Sequence, residues 1–264
     1  MRTLIVLTAA LAAIPAQAQG LRDFCADRPG LGTPACTLDP GHTMVEVGLA
    51  DWTLDRSGPQ RTDTATFADT LVRIGLDSKT EAQVGWSAFG IQRERNGLAG
   101  TVDRSRGIGD VTLALRRNLN RPDGTGFSLA IMGAATLPTG GQTIGTGDWG
   151  ASLLVPVSVD LPGDLNLQLT PEIDAAVDED RHGRHVAYGS VVGLQLPVGK
   201  TMSATGELSV FRDNDPIEHS TKSVAGLSIG WQKGRNLQFD AGANVGLNRT
   251  TDDLELYVGV ARRF

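Results

Sequence analysis

From Val45 to the C-terminus, apolar residues recur at every second position, and no stretch shows the three-to-four-residue spacing of an amphipathic helix. One segment illustrates the pattern: Leu237, Phe239, Ala241, Ala243, Val245 and Leu247 fall on one face, while Gln238, Asp240, Gly242, Asn244, Gly246 and Asn248 fall on the other. The same split separates Val111, Leu113 and Leu115 from Asp110, Thr112, Ala114 and Arg116. Period-two alternation predicts strands, and twelve are expected, at 44–54, 66–77, 80–92, 108–118, 126–137, 147–159, 164–177, 186–198, 201–212, 222–232, 236–248 and 253–264. Pro156, Pro171 and Pro197 interrupt three successive strands, so bulges or gaps are expected there.

The position of the charges decides which face meets water. By parity the charges on the apolar face are Asp51, Arg117, Arg212, Lys233, Arg249 and Arg262, all at strand ends, whereas the polar face carries Arg73, Glu172, Glu207 and Asp240 at mid-strand. A lipid-facing Arg or Lys costs about 2–4 kcal/mol at mid-bilayer and about 0–1 near the interface, so this distribution suits a barrel whose apolar face is outside. A soluble barrel has its apolar face inside. The connections agree, because long ones (55–65, 93–107, 138–146, 178–185, 213–221, 249–252) alternate with short ones (78–79, 118–125, 160–163, 199–200, 233–235). Outer-membrane barrels have short periplasmic turns and longer extracellular loops, which puts both termini on the periplasmic side. The fold class expected is therefore all-β, a 12-stranded antiparallel transmembrane β-barrel of the outer membrane, over residues 43–264.

Composition removes rival classes. In 264 residues, 40% are hydrophobic and 20% charged, which excludes both a disordered chain and a polytopic helical membrane protein. A net charge of -6 offers no footprint for nucleic acid, and none is expected as a partner. Arg2, the apolar run Leu4 to Ile14 and the small-x-small Ala16-Gln17-Ala18 predict a signal peptide over residues 1–18, cleaved to leave a mature chain from Gln19. In the oxidising compartment beyond, the only two cysteines, Cys25 and Cys36, are expected to pair, closing a loop worth about 3 kcal/mol. Residues 19–42 then form a periplasmic lead carrying that disulfide.

Phe264, preceded on its face by Val260, Val258, Leu256 and Leu254, resembles the terminal strand that outer-membrane proteins present to the barrel-insertion machinery; Arg262 departs from that pattern. Two motifs, Gly107-Ile108-Gly109-Asp110-Val111-Thr112-Leu113 and Leu137-Pro138-Thr139-Gly140-Gly141, together with the barrel layout, resemble the family of outer-membrane proteins named for the meta pathway of phenol degradation. The resemblance implies a small barrel that admits aromatic or other small organic compounds, with a label that names a pathway and not an enzyme.

The polar face supplies the candidate chemistry. Eleven inward acids (Glu46, Asp69, Glu81, Asp110, Asp148, Glu172, Asp174, Glu207, Asp240, Asp253 and Glu255) face three inward bases, Arg73, Arg116 and Arg263, so a conducting lumen should favour cations. Arg73 with Asp69, Glu172, Asp174 and Glu207 is the expected filter, with Arg116 and Asp240 also lining the lumen. Asp110, Thr139 and Asp148 are the expected entrance rim. The reading is a passive outer-membrane channel for small solutes, in contact with membrane lipid and lipopolysaccharide. One alternative is a packed lumen held by pairs such as Glu46 or Asp69 with Arg73. A less favoured one is a rim-located hydrolase, whose sign would be His and Asp converging across the barrel mouth; His42, His182, His185 and His219 are all expected outside the strands. No cofactor is expected, and the spacing of Glu172 and Asp174 fixes no metal. Gly145-Thr146-Gly147-Asp148-Trp149-Gly150 matches a dinucleotide fingerprint but lacks the parallel strand–helix unit that would give it meaning.

Overall fold

The computed structural model describes residues 20–264; the expected signal peptide and Gln19 lie outside the described residues. The chain forms fourteen strand segments: β1 (Thr43–Ser57), β2 (Gln60–Gly75), β3 (Thr80–Asn96), β4 (Thr101–Gly107), β5 (Val111–Asn118), β6 (Phe127–Leu137), β7 (Gly150–Leu154), β8 (Val157–Leu161), β9 (Leu165–Val177), β10 (Arg184–Val198), β11 (Met202–Asn214), β12 (His219–Lys233), β13 (Leu237–Gly246) and β14 (Leu254–Arg263). Two pairs of segments share a place in the wall. β4 and β5 pair with successive halves of β3, and β7 and β8 lie between β6 and β9. Fourteen segments thus make twelve wall positions, every pairing is antiparallel, and the β1–β14 and β9–β10 ladders close the ring.

The wall is inside-out relative to a soluble protein. Leu115, Leu208, Val210, Leu227, Leu256 and Val258 stand exposed on the outer surface, while the fully buried side chains include Arg73, Arg116, Glu46, Glu81 and Asn118. Aromatic side chains mark both ends of the apolar band. Trp231 stacks on Phe239 at 5.7 Å between their centroids toward the terminal end, and Phe67 lies 6.4 Å from Phe89 toward the other. These are the girdles of an outer-membrane barrel.

The structure corrects the expected elements in three places. The segments 55–65 and 93–107 are not loops. β1 and β2 stay paired out to Ser57 and Gln60 around a two-residue turn in which Gly58 has φ 58°, and β3 and β4 stay paired to Asn96 and Thr101. Backbone hydrogen bonds extend the ladder beyond the band where apolar residues are needed, so hydrophobic periodicity stops before the strand does. Asp51 is not on the outer face. A register shift between Gly48 and Ala50 pushes Leu49 outward, and Asp51 then pairs across the ladder with Tyr257, whose side chain is buried inside. A bulge of this kind inverts the parity of every residue after it. The three prolines, finally, make one interruption. Val155 and Pro156 lie opposite Thr170 and Pro171, where the β7–β9 ladder gives way to the β8–β9 ladder, and Val155 N–H donates to the Pro171 carbonyl at 3.0 Å. Pro197 pairs in register with Ser203 near the end of β10.

Candidate functional site

Residues 20–42 enter the barrel from the end that holds the termini and bind its inner wall. The sequence places this segment on the periplasmic side without indicating that it enters the lumen. The lumen carries more acids than bases, and the lead brings backbone N–H groups to them. Glu46 accepts from Asp27 N–H at 3.0 Å and from Arg28 N–H at 2.9 Å; Glu207 accepts from Leu31 N–H at 2.8 Å and Gly32 N–H at 2.9 Å; Glu81 accepts from Leu38 N–H at 2.8 Å. Thr33 exchanges two hydrogen bonds with the Thr170 hydroxyl, and Ala35 N–H donates to Ser158. Gly32 suits its place because a Cβ there would press on Glu207, Thr170 and Val191. The Cys25–Cys36 disulfide ties the two limbs of this segment together, as the sequence predicts.

Two guanidinium groups lock the plug. Arg73 sits at 2.9 Å from Asp27, 3.1 Å from Glu46 and 2.9 Å from Glu81, and also donates to the Cys25 carbonyl. Arg116 contacts Asp27 at 2.5 Å and Glu81 at 3.5 Å and donates to the Cys36 carbonyl. Asn118 donates to the Ala35 carbonyl and to Ser128. On the opposite wall Arg28 of the plug reaches Asp240 at 3.0 Å, while Gln238 donates to the Arg28 carbonyl. Arg263 holds the start of the segment through the Arg22 carbonyl. Buried charges are costly unless they are paired, and Arg73 and Arg116 each meet carboxylates and a backbone carbonyl, with Arg116 Nε alone left without a partner.

Asp51, Asp69, Glu172, Asp174, Asp253 and Glu255 all face in, and none forms an ion pair with Lys or Arg among the described residues. Toward the far end, the inner faces of the extended β1, β2 and β3 open into a cavity of 350 Å³ lined by Thr53, Asp55, Thr62, Thr64, Gln92 and Asp252.

The residues expected at the entrance hold the segment 138–149 at that mouth. Asp110 accepts from Gly140 N–H at 2.8 Å, Gly147 N–H at 3.0 Å and the Thr146 hydroxyl at 2.9 Å. Burial alone would raise its pKa, and these donors bring it below the usual carboxylate value. The Thr139 hydroxyl accepts from Val111 N–H. Asp148 pairs with Arg184, whose guanidinium also lies 4.3 Å from the Trp149 ring centroid, and the Trp149 N–H and Arg184 together lower the Asp148 pKa. So tethered, the segment lays Ile144 against the wall at Gly90 and Gly107, where there is no side chain to displace it. The motif glycines therefore also serve close packing.

The structure does not assemble the expected filter as one group. Arg73, Arg116, Glu207 and Asp240 belong to the sockets of the plug, whereas Asp69, Glu172 and Asp174 are not held by it. Asp69 accepts from Ser87 and does not pair with Arg73. Asp27 and Arg28 are the participants the sequence reading missed. An excess of luminal acids signals a basic partner such as Arg28, whereas Asp27 adds a carboxylate between Arg73 and Arg116 and has no such signal. Two histidines expected outside strands lie at strand ends, His185 in β10 and His219 in β12.

The fold defines a 12-stranded antiparallel barrel of the outer-membrane type, with a polar, plugged lumen. The chain belongs to the family described as "Putative MetA-pathway of phenol degradation", whose model it matches over residues 26–264. Among solved structures it is similar to the COG4313 outer membrane channel from Pseudomonas putida F1, at 14% identity and TM-score 0.66, covering 87% of this chain and 98% of that one. It is also similar to the NanC porin, at 8% identity, TM-score 0.53, and 83% and 98% coverage. The β domain of the Bordetella autotransporter BrkA follows at 12% identity, TM-score 0.52, and 86% and 100% coverage. At these identities the likeness is one of fold. No curated protein matches the chain.

Proposed function

We propose that this protein is an outer-membrane channel for passive uptake of small solutes, with an acidic, cation-preferring outer lumen and an inner end closed by its own N-terminal segment. The observation that carries the reading is the set of six inward carboxylates beyond the plug that have no basic partner. In a narrow lumen such a lining attracts cations and repels anions. The plug makes solute passage depend on whether residues 20–42 stay seated. The family's name and the channel among the similar structures support small organic solutes, aromatic compounds among them, as the class admitted. On this reading the chain is not an enzyme. It sits in the outer membrane after loss of residues 1–18, meets lipid and lipopolysaccharide, and is inserted through its terminal strand ending in Phe264.

Planar-bilayer recording of the refolded protein under a salt gradient tests the charge preference. A reversal potential of cation sign is expected, weakened when Glu172 and Asp174 are both changed to the amides, and an anion-selective or unchanged potential would overturn it. Block of the current by added phenol would support the aromatic class, and indifference to phenol would count against it.

The sign of a rim hydrolase, His and Asp converging across the barrel mouth, is met only in part, since His185 meets Asp178, Asp213 and Asp215 from adjoining strands on one side of the rim. The His185 side chain is buried and both its ring nitrogens face carboxylates, so the channel is the reading kept.

A further inference from the structure

We infer that the rim carries a binding site for a first-row divalent cation of the zinc type, formed by His185 Nδ1, Asp178 Oδ1 and Asp215 Oδ2, with Asp213 behind the ring. The three donor atoms lie within 4.8 Å of one another. They come from the end of β9, the start of β10 and the segment after β11, so the barrel wall itself brings them together. His185 Nδ1 is 2.9 Å from Asp178 Oδ1 and 3.5 Å from Asp215 Oδ2. Ligands at about 2.0–2.1 Å from a tetrahedral zinc stand about 3.3 Å apart, and these two distances bracket that edge.

Burial and charge supply independent support. The His185 side chain is only 6% exposed, and its Nε2 has no hydrogen bond although Asp213 Oδ1 lies 2.5 Å away, because that oxygen is out of line with the ring N–H. Three carboxylates thus surround one imidazole, and no Lys or Arg forms an ion pair with any of them among the described residues. Even a protonated ring leaves two negative charges uncompensated. A divalent ion on Nδ1 takes the place of the ring's second proton, reduces the excess to one negative charge, and leaves Nε2–H to turn toward Asp213, the carboxylate–histidine–metal arrangement that orients and strengthens a histidine ligand. The carboxylates are already held in place. Asp215 accepts from Glu179 N–H at 2.6 Å and Ile217 N–H at 2.7 Å, contacts that fix the orientation of its carboxylate. A nitrogen donor among oxygens favours zinc-like ions over calcium or magnesium. The bound ion would join the segments 178–183 and 213–218 across the head of β10.

The site was not legible in the spacing of Asp178, His185, Asp213 and Asp215, because its donors meet only through strand pairing. The test is calorimetric titration of ZnCl2 into the full refolded chain, with Co2+ absorption as the second readout. One equivalent should bind, with a tetrahedral cobalt spectrum. Asp215→Asn and His185→Gln should each weaken binding at least ~100-fold, and Asp213→Asn by about 10–100-fold, the usual loss for an outer partner. The exposed neighbours Asp180→Asn and His182→Ala should leave it unchanged. Should one variant fail to fold, the other still decides. Absence of stoichiometric binding to the wild-type chain, equal affinity for Ca2+ and Zn2+, or equal loss in the Asp180→Asn control would overturn the assignment.

Discussion

Arg73 holds the closed end of the lumen together. It is fully buried and is shared by Asp27 of the plug and by Glu46 and Glu81 of the wall. Removing one partner from a buried ionic network leaves the others uncompensated, at about 3–5 kcal/mol. Arg73→Gln is therefore expected to lower the temperature at which the folded barrel converts to its unfolded electrophoretic form, and Arg73→Gln with Glu81→Gln should recover part of the loss. An unchanged conversion temperature in the single variant would show that the plug network contributes nothing. Asp148 gives a pH dependence. Its folded pKa is depressed below 3.8, so its link to Arg184 is intact above that value and is lost as pH falls through the lower folded one. Emission from Trp149, followed in a chain with the other three tryptophans replaced by phenylalanine, should be flat from pH 7 to pH 4 and change only below pH 3.8. A transition near neutrality would contradict the pairing. At this scale parity placed Glu46, Arg73, Glu81, Arg116, Glu207 and Asp240 on the inner face from sequence alone. It failed at Asp51, because a bulge at Leu49 has no signature in apolar periodicity.

At the scale of elements, the strands were legible wherever they cross the apolar band and illegible beyond it. Thr62, Thr64 and Thr66 alternate with Asp63 and Ala65, a pattern without apolar contrast, yet β1 and β2 remain hydrogen-bonded to the Gly58-Pro59 turn. Cross-strand Thr pairs such as Thr53 with Thr64 stabilise such a ladder without lipid, at about 0.2–1 kcal/mol each. Amide exchange should accordingly be slow at Thr53 and Thr64 and fast at Gly58, whereas uniform fast exchange from 55 to 65 would restore a loop there. The plug was illegible for another reason. Its residues show neither period, since it is fixed by sockets on nine strand segments and not by a pattern of its own. Only its disulfide could be read from sequence, from two cysteines with no other partner.

At the scale of the whole molecule, one physical choice accounts for the architecture. A closed ladder leaves no backbone group unpaired toward lipid, so the apolar side chains go outside and the charges go in. The excess of inward acids over inward bases then creates a need for donors, which the N-terminal segment meets at one end of the lumen. The asymmetry underlies the proposed function, in which a cation-preferring vestibule opens onto a lumen closed by the chain's own start. The most direct measurement is single-channel conductance of the wild-type protein beside a variant whose plug sockets are removed on the wall, Glu207→Ala with Thr170→Ala and Asp240→Ala, in one bilayer system. The account predicts small or rare openings for the wild type and larger, more frequent ones for the variant, with both proteins folded by the electrophoretic criterion. Equal conductance in the two would contradict the claim that residues 20–42 close the channel.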